Sequence, residues 1–176
     1  MTPPVIPVNP TLPNIRPLPA RPGTGDLYWG RLARIYNALR VQFENPGAIG
    51  ALANADMESS GETTAVGDND TAYNLWQWHW NPRGISILDG CKIDVRVERS
   101  PTAVVQALMW ELKNKFPHLL EELHGATSAE DAASAFCSGF EFAGASQAML
   151  RRRLDAAWLT VWVSENDAFI KANPAN

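Results

Sequence analysis

Cysteine is nearly absent from this chain of 176 residues: Cys91 and Cys137 are too few and too far apart for a disulfide framework or a zinc site. Both sit in helix-like surroundings, which predicts free, reduced thiols. Positive charge is thin as well. Lysine and arginine total 15 against 19 Asp and Glu, the net charge is −4, and no basic run is longer than Arg151 to Arg153. Nucleic acid is therefore not an expected partner. No apolar run approaches the roughly 20 residues that a membrane span needs. The first residues lack the charged start and continuous apolar segment of a signal peptide, so the expectation is a protein made in the cytoplasm and carried elsewhere by something other than its own leader. Of the three histidines, His118 and His124 fall in a helical region apart from His79, and no Cys stands at ligand spacing, so no metal or cofactor is expected.

Proline is concentrated rather than scarce, with eight of the 13 in the stretch Met1 to Pro22. Each removes a backbone donor and blocks helix and ladder alike, so residues 1–25 are expected to form an extended arm ahead of one folded unit over residues 26–176. Such an arm is either a solvated leader or a strap that docks on its own domain or on a neighbour. The alternating Val5, Ile6, Val8, Leu12, Ile15 and Leu18 leave docking open.

From Asp26 onward the apolar period is helical. Leu32, Ile35, Tyr36, Leu39 and Phe43 mark a first helix ending near Asn45-Pro46-Gly47, and a second runs from Pro46 or Gly47 to about Glu58. Residues 59–71 are rich in Gly, Thr, Asp and Asn and read as a loop or short irregular hairpin. Asn81-Pro82 and Ser100-Pro101 each have N-cap and first-turn chemistry, predicting a short helix to Gly90 and a longer one stopping at Pro117. Thr127 to Glu130 resembles a capping box opening a helix through Phe140. A last helix is predicted from Ser146 to Phe169, with Leu150, Leu154, Ala157, Trp158, Val161 and Trp162 inward. Strand signals are confined to Ile93–Val97 and to residues 62–75. The fold class is mainly α.

Two features carry chemistry. Trp76, Trp78 and Trp80 alternate, so an extended backbone would set three indoles on one side, either filling the core or stacking on a ligand such as a sugar ring. Glu58 falls at the C-terminal end of a helix of small and apolar residues, where the helix dipole and desolvation are expected to raise a carboxyl pKa. A group so tuned can deliver a proton to a leaving oxygen near neutrality.

Glu58-Ser59, Ala65-Val66-Gly67-Asp68 and Tyr73-Asn74-Leu75-Trp76-Gln77-Trp78 together resemble the phage tail lysozyme group of the lysozyme-like superfamily, which is similar to goose-type lysozymes and soluble lytic transglycosylases. There a helix ends in an ES motif bearing the catalytic Glu, an AxGD-like loop follows, and a GLxQW-like motif builds the cleft wall. Arg83, Trp110-Glu111-Leu112 and the A...F...E pattern of Ala132 to Glu141 extend the likeness to about Asn37 to Trp158. Asn74 stands where the family has glycine, which predicts left-handed backbone that Asn tolerates better than most residues. Gly61 stands where an aromatic residue or leucine is often found.

The resemblance implies a lysozyme-like helical domain acting on the peptidoglycan of the bacterial cell wall after release, virion delivery or injection. It implies that Glu58 protonates the glycosidic oxygen between N-acetylmuramic acid and N-acetylglucosamine. If Asp68, or failing it Asp70, holds a water on the opposite face of the ring, the enzyme is an inverting muramidase; the carboxyls then stand roughly 6.5–9.5 Å apart. If neither does, the muramic 6-hydroxyl attacks and the product is the anhydro sugar of a lytic transglycosylase. A non-catalytic, peptidoglycan-binding or structural component is the reading from another class. Gln77 either bonds an N-acetyl group or holds the loop, Trp76 or Trp78 supplies a stacking platform, and Tyr73 bonds near the acid. Glu111 orients Glu58, pairs with Arg83 or is structural. Arg151 to Arg153 read as a solvated helix face, or as a contact to acidic cell-wall polymer.

Overall fold

The computed structural model describes residues 26–140 and 146–175, so the proline-rich arm and the Glu141 end of the A...F...E pattern lie outside the described residues. Of the described residues 69% are helical. Asp26 starts the first helix, α1 (Leu27–Leu39), by accepting the backbone N–H groups of Tyr28 at 3.1 Å and Trp29 at 3.4 Å. Its face of Leu32, Ile35, Tyr36 and Leu39 is buried, as the period predicts, and the helix closes at Leu39 with a turn carrying the chain to Phe43.

The second helix, α2 (Asn45–Ser59), is the hub. Pro46 sits in its first turn, where a missing N–H costs nothing, and every residue from Gly47 to Asp56 is buried. A helix of small and apolar residues on all sides belongs inside other helices. It packs on α1, α5 (Pro117–Gly125), α6 (Ala129–Gly139) and α7 (Ser146–Glu165). Its closest approach is to α6: a Cβ on Gly50 would lie 2.5 Å from the Cβ of Ala132, so only glycine fits the crossing. Asn54 fastens the same crossing, its side-chain amide donating to Ala133 O at 3.1 Å and to Gly50 O at 2.8 Å.

After α2 the chain turns through left-handed Ser60 and Gly61 into a small antiparallel sheet of β1 (Val66–Gly67), β2 (Ala72–Tyr73) and β3 (Trp78–His79). The register pairs Val66 with Tyr73 and Ala72 with His79. Asp68, Asn69 and Asp70 are all left-handed, with φ of 48°, 55° and 64°, in residue types whose short polar side chains tolerate that region. The irregular hairpin expected here is present. So is left-handed Asn74, at φ 69°. This buried asparagine donates to Val95 O at 2.9 Å and Glu98 O at 3.0 Å, fixing the hairpin to the segment that follows α3 (Ile85–Cys91).

Five details differ from the sequence reading. Asn81 is not an N-cap: a π-helical turn occupies Trp80–Gly84, and α3 begins only at Ile85. Residues 93–97 form no strand, because the Asp94 side chain accepts Arg96 N at 3.0 Å while its carbonyl accepts Val97 and Glu98 N–H, closing a turn instead. Ser128, not Thr127, caps α6, accepting Asp131 N at 3.1 Å. The last helix is broken at Asn166, whose amide turns back to Trp162 O at 2.8 Å before a short α8 (Asp167–Lys171). The inward face of α7 is also rotated: Arg152, Asp155, Ala156, Leu159 and Trp162 are buried with Trp158, while Leu150 is exposed. α4 (Pro101–Lys115) starts at its Ser100 cap as expected. No disulfide joins Cys91 and Cys137, and burial pushes the Cys91 thiol pKa up, which keeps it protonated and weakly nucleophilic.

Candidate active site at the end of the central helix

Two carboxylates end α2, and the fold treats them differently. Asp56 is buried and accepts the Tyr28 hydroxyl at 2.8 Å. Glu58, in the final turn, keeps 29% of its side chain exposed. Of the two, Glu58 is the one that a substrate can touch. Arg152 reaches it from α7: its Nη2 donates to Glu58 Oε1, and its Nη1 donates to Ala148 O at 3.4 Å. Here the exposure is reversed, since only 7% of the Arg152 side chain is accessible. Neither solvation nor a polymer contact describes this arginine. Only its neighbours behave as the sequence suggests: Arg151 is exposed, and Arg153 is exposed and bonds Asp131 at 2.8 Å.

Asp68 lies on the turn between β1 and β2, 69% exposed, with Oδ2 at 3.2 Å from His79 Nε2 of β3. The other ring nitrogen of His79 faces the Thr71 hydroxyl at 3.4 Å. His79 thus belongs with the second carboxylate, a role that its position within the tryptophan run did not signal. Asp70 follows on the same turn, and its carbonyl accepts the Tyr73 hydroxyl, so Tyr73 stabilises the hairpin instead of reaching toward Glu58. Among the described residues no hydrogen bond or ion pair joins Glu58 to Asp68 or Asp70.

Gln77 holds the loop. Its backbone is left-handed at φ 48°, its amide donates to Asn74 O at 3.0 Å, and its Oε1 packs against Gly67, where a Cβ would push the Gln77 side chain aside.

Trp76 and Trp78 are not platforms. Both are fully buried, with Trp76 Nε1 donating to Ala51 O at 3.1 Å and Trp78 Nε1 to Glu111 Oε2 at 2.7 Å, so neither ring has a face left for a sugar. Short β2 and β3 place them in the core against Phe136 and Phe140, where burying an indole is most favourable. Trp80 is half-buried, with the Arg96 guanidinium 3.6 Å above its ring and Gly84 against its edge. Glu111 is paired with Arg83, at 2.8 Å to Nε and 2.9 Å to Nη2, and this bidentate bond fixes the hairpin onto α4.

Among the described residues no three His, Cys, Asp or Glu side chains gather closely enough to hold a metal ion, and no helix is long and apolar enough to cross a membrane. The site is thus a half-open glutamate at the end of a buried helix, followed along the chain by a hairpin carrying an aspartate. The family model described as phage tail lysozyme matches residues 32–160, which include α2, the hairpin and Arg152. The chain belongs to the phage tail lysozyme family. No curated protein and no solved structure was found to match it. Membership in this lysozyme family gives the coarse function: a lysozyme-like action with peptidoglycan as the substrate.

Proposed function

We propose that this phage tail lysozyme cleaves the β-1,4 bond between N-acetylmuramic acid and N-acetylglucosamine, with Glu58 as the general acid. The observation that carries the reading is the contrast at the end of α2, where Asp56 is sealed and Glu58 remains open to the solvent. A proton donor must reach the glycosidic oxygen, and of the two only Glu58 has the access. The Glu58 proton passes to the leaving oxygen as the bond to the muramic anomeric carbon breaks and the sugar takes on oxocarbenium character.

Asp68 is the partner that holds the water on the opposite face, with His79 at 3.2 Å fixing its carboxylate; Asp70 is the alternative on the same turn. Attack by that water inverts the anomeric carbon and leaves a reducing muramic end. The lysozyme-like unit spans residues 26–176, and the protein reaches the wall by release, virion delivery or injection.

Digestion of purified peptidoglycan, with mass spectrometry of the released muropeptides, tests the reaction. Reducing muramic ends, lost in Asp68→Asn, are expected. Anhydro-muramic ends unaffected by Asp68→Asn would assign a lytic transglycosylase with Glu58 working alone. The absence of any product from a folded wild-type protein would leave a binding or structural role.

A further inference from the structure

The geometry points to Arg152 as a positioning residue for the acid, an inference that rests on the reading of Glu58 as proton donor. Arg152 is the middle member of a basic run whose other two members face solvent, and it lies on the buried face of α7. Its guanidinium is anchored at Ala148 O on one side and meets Glu58 Oε1 on the other. A guanidinium cannot give up its charge in a protein, so α7 delivers a permanent cation to one oxygen of this carboxyl. Among the described residues, Asp56, Arg31 and Arg153 are engaged with other groups. Tyr28 from α1 bonds Asp56 within α2, and Arg31 from α1 pairs with Glu62 at 3.4 Å. Asp155 is buried one helical turn beyond Arg152, and Arg153 bonds Asp131 of α6.

Holding Oε1 does two things. It fixes the carboxyl rotamer, so that Oε2 is the oxygen left to carry the proton. It also places a fixed positive charge beside the carboxylate that forms. In the protonated acid, Oε1 accepts from Arg152 as a carbonyl while Oε2–H donates to the glycosidic oxygen. When the Oε2–H bond breaks, the proton joins the leaving sugar's oxygen, which also takes the electron pair of the broken glycosidic bond, and the carboxylate stays paired with Arg152. The pairing is therefore strongest after proton transfer has begun, and an interaction of that kind raises kcat rather than lowering KM.

The test measures kcat and KM on soluble peptidoglycan fragments for wild type, Arg152→Lys, Arg152→Gln and Glu58→Gln, each checked for folding by circular dichroism. Arg152→Gln removes cation and fork and is expected to lower kcat about 100-fold, the scale of losing one preorganised donor, with KM within about twofold. Arg152→Lys keeps the charge without the fork and is expected to lose about tenfold in kcat. If Arg152→Gln does not fold, Arg152→Lys alone decides. A folded Arg152 variant with wild-type kcat, a loss carried in KM alone, or equal losses in the Lys and Gln variants would overturn the inference. Glu58→Gln separates the two levels. Full activity there overturns the acid itself, whereas an inactive Glu58→Gln beside fully active Arg152 variants overturns only the positioning role.

Discussion

Among the described residues, the Glu111–Arg83 and Glu58–Arg152 pairs each have one sealed partner, and they differ in which partner faces water. In Glu111–Arg83 the carboxylate is the sealed partner, 3% exposed, and three donors from Arg83 and Trp78 fill both its oxygens. In Glu58–Arg152 the cation is sealed and the carboxylate keeps an open side. A carboxylate sealed from water with both oxygens engaged has nothing left to offer a substrate, so the first pair binds the hairpin to α4 and does no chemistry. One whose partner comes from behind stays available in front. The same two residue types serve structure in one place and the proposed reaction in the other, and burial of the partner distinguishes them.

The comparison can be broken from either side. The largest expected effect is on turnover: Glu58→Gln is isosteric and is expected to cut kcat by about 10²–10⁴, the usual contribution of a general acid, in a protein that still folds at the assay temperature. Assay of released reducing ends checks it. The next effect is on stability. Glu111→Ala leaves the Arg83 charge beneath the hairpin without its carboxylate and is expected to cost about 3–5 kcal/mol, read from urea unfolding. Wild-type stability in that variant would remove the structural half of the contrast. Asn74→Gly restores the family's glycine but loses two buried bonds to Val95 O and Glu98 O, and is expected to cost about 1–2 kcal/mol, again in urea.

The smallest effect belongs to a third pair, open on both sides. Arg96 beside Asp94 holds that carboxyl pKa below its ordinary value, mainly through the side-chain hydrogen bond. The stability it contributes is thus fully present above the ordinary carboxylate range and lost as pH falls through the lowered folded value. Asp94→Asn should remove under about 1 kcal/mol at neutral pH and nothing in strong acid, as acid-urea titration would show.

Much of this could be read along the chain because the signals are local. Asp26 and Ser100 cap their helices, Pro46 and Pro101 sit in first turns, and Asn74 takes the left-handed backbone expected of a residue in a glycine's place. Glu58 was legible as the end of a helix of small residues. What escaped depends on distant partners. Arg152 reads as solvated in its basic run, whereas in the fold it is buried and bonds Glu58, 94 residues earlier in the chain. Trp76 and Trp78 read equally as platforms or core until Ala51 O and Glu111 are seen holding their N–H groups. Asp94 broke an apparent strand through a bond that hydropathy does not register. The pairing of His79 with Asp68 likewise exists only once β3 folds back beside the β1–β2 turn.

The most direct test sets the two carboxylates side by side: muropeptide release per folded molecule for Glu58→Gln and Glu111→Gln, at a temperature where both are folded. The account predicts a folded Glu58→Gln protein that releases almost nothing and a folded Glu111→Gln protein that turns over normally, both melting earlier than wild type because each leaves an arginine without its carboxylate. Normal release from Glu58→Gln, or inactivity confined to a folded Glu111→Gln, would contradict it.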